Sequence, residues 1–187
     1  MEYFMQRALC LLLSLSAYAS AMTVEEKVGQ IIMCPVKGSS INEEMKDLIK
    51  ETKIGGVILY NWANELDSKD DIQELTSQLQ LESLKETGAP LFIGIDQEGG
   101  RVERIDMKMP SAQEIAETKL PKKAYKAGKK IGKALSKLGI NLNFAPVVDI
   151  NSNEENTVIG DRSFGSDPEV VTEYAKAFAK GLDDKDV

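Results

Sequence analysis

No histidine occurs in the 187 residues. That absence removes the commonest metal ligand and the commonest general base near neutral pH, so acid and base chemistry within this chain falls to carboxylates, lysine or tyrosine. Ser-His-Asp and His-Glu-x-x-His arrangements are excluded with it. Cysteine is nearly as scarce, at two residues. Cys10 lies in a segment that reads as a removable leader, which leaves Cys34 without an intrachain disulfide partner. Basic residues number 23 against 30 acidic ones, a net charge of −7. No dense Lys/Arg patch stands out, so nucleic acid is an unfavourable partner, because a polyanion needs a basic footprint to release counterions. Asn-Gly hairpin signals and internal repeats are also missing, which turns attention away from antiparallel meanders.

What is present begins with a leader. Met1 to Arg7 is a weakly cationic head, an apolar run follows from Ala8 to Leu15, and Ala19-Ser20-Ala21 is a small-residue end. These are the three parts of a secretory signal, and the stretch is shorter than the ~20 residues that span a membrane. The expectation is a signal peptide over 1–21, cleavage after Ala21, and a secreted or periplasmic product comprising residues 22–187 with no stable membrane span.

Beyond the leader, helical and strand patterns alternate. Thr23 and Glu26 form a capping box ahead of a short helix with Val24, Val28 and Ile31 on one face, leading into a strand over 31–36. Met45, Leu48 and Ile49 share the face of a helix over 43–52. The apolar run 54–60 does not alternate, as suits a strand buried on both faces. Ser68 and Asp71 cap a helix with Ile72, Leu75 and Leu79 on its buried stripe, ended by Gly88. A third strand covers 91–95. Ser111 and Glu114 form another capping box, before a helix that carries Ile131, Leu135 and Leu138 and stops at Gly139. A fourth strand is expected over 141–150. Asp167 and Pro168 then cap a last helix with Val171, Tyr174 and Phe178 on one face. Four strand-helix alternations argue for parallel strands with helices outside, in either a doubly wound sheet or a (β/α) barrel.

In both architectures the site forms at the C-terminal ends of the strands. Asp96 follows the third strand and precedes two glycines that permit a tight turn; it can accept hydrogen bonds from substrate hydroxyls or cap the turn. Arg101 and Arg104 stand close in sequence to Glu98 and Glu103, with which an ion-pair network is expected. Arg162 presents a rigid fork of five donors suited to hydroxyls or an acyl carbonyl, or else to a salt bridge with Asp161, Asp149 or Asp96. Trp62 can stack on a sugar ring or cover the barrel end. Gly55-Gly56 precedes an apolar run instead of opening a helix, so it is structural and not a phosphate loop.

Three ordered blocks carry a resemblance. Pro90-Leu91-Phe92-Ile93-Gly94-Ile95-Asp96-Gln97-Glu98-Gly99-Gly100-Arg101-Val102 resembles the strand-three signature of family 3 glycoside hydrolases, in the β-N-acetylglucosaminidase branch. Gly139-Ile140-Asn141-Leu142-Asn143-Phe144-Ala145-Pro146-Val147-Val148-Asp149-Ile150 and Ile159-Gly160-Asp161-Arg162-Ser163-Phe164-Gly165-Ser166-Asp167-Pro168 are similar to the next two blocks of that family.

The resemblance implies a (β/α)8 TIM barrel and a retaining β-N-acetylhexosaminidase that releases terminal N-acetylglucosamine, often from peptidoglycan fragments. It implies that Asp96 and Arg162 bind the sugar substrate. No metal or organic cofactor is implied. A barrel of this class takes about 250 residues, and about four strand-helix units are legible here. The family's Lys-His-Phe-Pro-Gly-His-Gly block, its histidine acid/base and its nucleophilic Asp have no counterpart in this chain. The expectation is therefore the N-terminal half of a barrel, truncated before the catalytic residues and inactive alone. The alternative is a non-catalytic sugar-binding or complementing half-barrel. An open half-barrel also predicts self-association, because it leaves strand edges and inner faces uncovered.

Overall fold

The computed structural model describes residues 22–64, 68–153 and 155–187; the expected signal peptide lies outside them. Its elements in order are α1 (Val24–Gln30), β1 (Met33–Pro35), α2 (Glu43–Thr52), β2 (Gly56–Leu59), α3 (Lys69–Thr87), β3 (Phe92–Ile95), α4 (Ala112–Glu117), α5 (Pro121–Lys137), β4 (Leu142–Asn143), a 3-10 turn (Gly160–Arg162) and α6 (Pro168–Asp183). The four strands are all parallel and lie side by side in chain order, β1-β2-β3-β4. A doubly wound sheet reverses its strand order at a switch point, whereas a barrel does not, so this sheet is an arc of a (β/α) barrel.

Local chemistry starts and stops the helices where the sequence places the signals. Thr23 and Glu26 close the capping box of α1, Ser68 accepts the Asp71 amide at α3, Ser111 and Glu114 box the start of α4, and Asp167 caps α6 with Pro168 following. Gly88 ends α3 in the left-handed conformation. Asn42 caps α2 by accepting the Met45 amide.

The two faces of the sheet differ. Val57, Leu59, Ile93 and Ile95 point at the helices and are fully buried against residues such as Ile49, Ile72, Leu79 and Ile131. Each such side chain contributes roughly 1.5–3 kcal/mol by leaving water. On the opposite face, parallel register aligns Met33 with Gly56 and Phe92, and Ile58 with Gly94 and Leu142. Phe92 there is 60% exposed and Phe144, just after β4, 46%. Met33, Leu142 and Phe144 lean over Gly94, where any added Cβ would sit 2.8 Å from the Phe144 ring.

Several expectations are corrected. The first strand is three residues long, because Ile31 still closes the end of α1 by donating to Gly29 and Val28 carbonyls. Val24, Val28 and Ile31 are exposed; α1 instead seats Gly29 against the chain after α2, where a Cβ would lie 1.9 Å from the Thr52 carbonyl oxygen. The single helix expected between Ser111 and Gly139 is two, α4 and α5. Lys119 is left-handed and Pro121 cannot continue a helix from before it, so a new one starts at its ring. The fourth strand keeps only Leu142 and Asn143, since Pro146 has no amide for a ladder and the chain beyond it runs as a loop.

The largest correction concerns charge. Seven lysines and no acidic residue stand on α5. At 3.6 residues per turn they fall within an arc of about 120°, opposite the buried face of Ala124, Ala127, Ile131 and Leu135. Like charges one turn apart cost roughly 0.2–0.5 kcal/mol per pair, so this row opposes folding. The absence of a dense basic patch, expected from composition, therefore does not hold.

What secures α5 is α6. Gly128 and Gly181 let the two backbones touch: a Cβ on Gly128 would lie 2.1 Å from the Phe178 carbonyl oxygen, and one on Gly181 2.3 Å from that of Tyr125. At the rim Asp184 accepts hydrogen bonds from Lys180 and Tyr125, which together pull its carboxyl down to about 2. No helix among the described residues is long and apolar enough to cross a membrane. Gly128→Ala should lower stability by about 2–3 kcal/mol through overpacking, read from the urea midpoint; an unchanged midpoint would contradict so close a helix crossing.

Candidate substrate pocket

The site is assembled from the loop after β3 and the loop after β4. Gln97, with no exposed surface, fixes the first of these. Its Oε1 accepts the Arg104 and Ile105 amides at 2.9 and 3.0 Å, while its Nε2 donates to the Ile105 carbonyl at 3.0 Å. Gly99 takes φ +106 and its Cα faces the Pro110 carbonyl, 2.4 Å from where a Cβ would be, so only glycine fits this turn. Asn143 holds the opposite side by accepting the Gln97 amide at 2.9 Å and donating to the Gln97 carbonyl at 3.0 Å. A two-residue strand is thus extended by side-chain amides.

This frame brings Asp96, Glu98, Arg104 and Arg162 to one cavity of about 540 Å3, walled also by Ile58, Tyr60, Val102 and Phe144. Asp96 Oδ2 accepts from Arg104 Nη2 at 3.0 Å. The Arg104 guanidinium lies 5.8 Å from the Tyr60 ring centre, and its Nε is buried with no acceptor, so it retains a donor beyond its bond to Asp96. Glu98 takes Arg162 in a fork, Oε2 from Nε at 2.9 Å and Oε1 from Nη2 at 2.7 Å. Glu98 is the chief reason the Arg162 pKa rises, against the opposing effect of burial.

Two carboxylates and two guanidiniums give the cavity no net charge. With Tyr60 and Phe144 in its wall, it suits a neutral polar ligand, whose hydroxyls can donate to the carboxylates and accept from the guanidiniums. Asp96 and Arg162, the two positions singled out in the sequence, share this pocket. Their partners differ from those expected. Arg162 pairs with Glu98, and not with Asp161, Asp149 or Asp96. Arg104 pairs with Asp96. Arg101 pairs with Asp161 at 3.0 Å and donates to the carbonyls of Thr157, Val158 and Ile159, which ties the distant loop down. Glu103 accepts the Lys108 and Met109 amides. Trp62 is 69% exposed and stacks on Tyr60 at 5.4 Å.

Residues 23–187 match the family model for the glycosyl hydrolase family 3 N-terminal domain. The chain belongs to this family. Beta-hexosaminidase A of Pseudoalteromonas piscicida is 36% identical across 90% of this chain, which spans 32% of that protein. A family 3 β-N-acetylglucosaminidase from a Paenibacillus species superposes with a TM-score of 0.81 at 35% identity, over 88% of this chain and 32% of that one. NagZ from Neisseria gonorrhoeae, solved with N-trifluoroacetyl-D-glucosamine, gives 0.72 at 29% identity over 81% of this chain and 46% of its own. The chain thus spans about a third to a half of these relatives' lengths, and the parallel sheet is part of the barrel domain of this family.

Glu98 and Arg104 are the pocket residues that sequence reasoning assigned elsewhere. The available signal was parity: Asp96 and Glu98 stand two apart at a strand end, where alternate residues face the same way. Replacing Glu98 by Gln should cost about 2 kcal/mol, because Arg162 loses a charge-assisted fork in a largely desolvated position. Urea unfolding with amide exchange over 157–165 reads it, and unchanged protection there would show that Glu98 does not hold the loop.

Proposed function

We propose that this chain forms the N-terminal half of the sugar-binding site of a family 3 β-N-acetylhexosaminidase, with terminal N-acetylglucosamine as the ligand and Asp96 and Arg162 as its contacts. The observation that carries this reading is the convergence of the Asp96–Arg104 and Glu98–Arg162 pairs in one neutral, aromatic-walled cavity at the C-terminal ends of the strands. The hexosaminidase names of the relatives support the choice of sugar. Asp96 accepts from ring hydroxyls, while Arg162, held by Glu98 at Nε and Nη2 and donating from Nη1 to the Val158 carbonyl, offers the N–H groups of Nη1 and Nη2 that these bonds leave over.

Retaining hydrolysis needs a nucleophile and an acid/base group about 5 Å apart. Both pocket carboxylates are engaged by arginines, and there is no histidine to serve as the acid/base group that the family resemblance implies. The chain by itself therefore binds without turnover. A second reading, a half-barrel completed by another half, is favoured by the uncovered inner face at Phe92 and Phe144.

One experiment separates them. The 187-residue chain is assayed on a chromogenic β-N-acetylglucosaminide and titrated with N-acetylglucosamine by NMR, beside Asp96→Ala and Arg162→Ala. The expected result is no turnover, with weak binding reduced about tenfold or more by either change, the scale for losing a charged hydrogen bond. Binding indifferent to both variants would overturn the pocket assignment. Turnover that Asp96→Ala abolishes, from a species that sediments as a dimer, would replace the first reading with the second.

Export belongs to the same proposal: the cationic head, short apolar core and Ala19-Ser20-Ala21 end support removal of residues 1–21. Amino-terminal sequencing of the exported protein should begin at Met22, and an intact Met1 on exported protein would refute the cleavage.

A further inference from the structure

On the outer wall, away from the pocket, the lysines of α5 form a surface that the sugar-binding reading leaves unused. Lys122, Lys126, Lys130, Lys133 and Lys137 are exposed and follow one another at three- or four-residue steps. That is a positive charge about every 6 Å along roughly 25 Å of helix. On other helices some lysines are neutralised one turn away, Lys46 by Glu43 in α2, Lys85 by Glu82 in α3 and Lys180 by Asp184 in α6, while those left unpaired there stand singly and not in a row. On α5, among the described residues, Lys129 alone reaches an acid, Asp184 at 3.7 Å. The row also opens onto a cleft of about 450 Å3 between α5 and the start of α3, where Lys69 joins Lys130, Lys133 and Lys137 over a floor of Ile105 and Leu138. Asp106 is the carboxylate on its rim.

We propose that the lysine row of α5 and its cleft dock a linear, flexible polyanion with a phosphate repeat. Three features select that ligand. The charges form a line instead of a ring, so they suit an extended chain and not a single small anion. All are lysines, which bind phosphate as point charges without fixing a planar bidentate geometry. No large apolar side chain is exposed along α5 itself, so an amphipathic insertion into a lipid surface lacks its apolar half. A chain of net charge −7 that keeps such a row concentrates its attraction for polyanions on this one wall.

The test uses the 187-residue chain and fluorescently labelled inorganic polyphosphate, with anisotropy as readout, alongside duplex DNA and phosphatidylglycerol vesicles. Three proteins are compared: the parent, Lys126→Glu/Lys130→Glu/Lys133→Glu, and Lys27→Glu/Lys37→Glu/Lys50→Glu, which makes the same charge change on exposed lysines outside α5. A Lys126→Gln/Lys130→Gln/Lys133→Gln variant, which relieves the repulsion on the helix, covers a failure of the first triple to fold. Polyphosphate binding should weaken by about tenfold or more in the α5 triples, fall steeply with salt in the parent, and survive both the control triple and Asp96→Ala. Equal loss in the control, absence of polyphosphate binding, or binding confined to DNA or vesicles would overturn the proposal. Survival in Asp96→Ala keeps its outcome separate from that of the sugar pocket.

Discussion

The pocket depends on the fork between Glu98 and Arg162, two residues 64 positions apart. Glu98 is carried by the turn after β3, whose path is set by buried Gln97 and by the glycine against Pro110. Arg162 is carried by a 3-10 turn in a loop with little core of its own. The ion pair joins the two, and Arg101 reinforces it by collecting three carbonyls from the same loop. Because the Glu98 side chain is 9% exposed, solvent cannot readily substitute for it. Losing one partner would leave the other as a desolvated charge.

The sheet provides a second constraint. Its helix-facing side is closed by a contiguous core, which gives each strand a strong reason to hold its register. The other side is only half covered, and Phe92 and Phe144 stay exposed on it. The short strands follow from the same imbalance. Asn141 and Asn143 pair through their side-chain amides with the backbone of β3 at Ile93 and of its flanks at Leu91 and Gln97, supplying hydrogen bonds where the β4 ladder is brief.

Charge is distributed in a way that a whole-chain sum conceals. The pocket contains balanced pairs, α5 carries seven lysines, and the acidic excess lies on the remaining surface. A net value of −7 describes none of these regions. Lysines spread through 121–137 look dispersed when written as a string, but helical winding gathers them on one side and sends the small residues to the other.

Helix limits were legible because caps are local: Thr23 with Glu26, Ser68 with Asp71, and Asp167 with Pro168 each act within one turn. The parallel class was legible from the alternation of apolar runs with amphipathic stretches, and the three motif blocks pointed to Asp96 and Arg162 without any structure. The sequence could not reveal which acid meets which arginine. Neighbours in sequence, Arg104 beside Glu103 and Arg162 beside Asp161, proved not to be partners, since the turns after β3 and β4 carry these side chains apart and bring Asp96 and Glu98 in their place. The face presented by α1 was equally hidden, for it is decided by a glycine pressed on a distant carbonyl. The sequence by itself determined most helix starts, the parallel class and the family, and it pointed to two positions in the pocket, because periodicity, caps and motifs are short-range; the break between α4 and α5 and the short first and fourth strands were not legible in it. The ion-pair partners, the lysine wall and the exposed inner face were decided only by tertiary structure, because they depend on which distant backbones the core brings together.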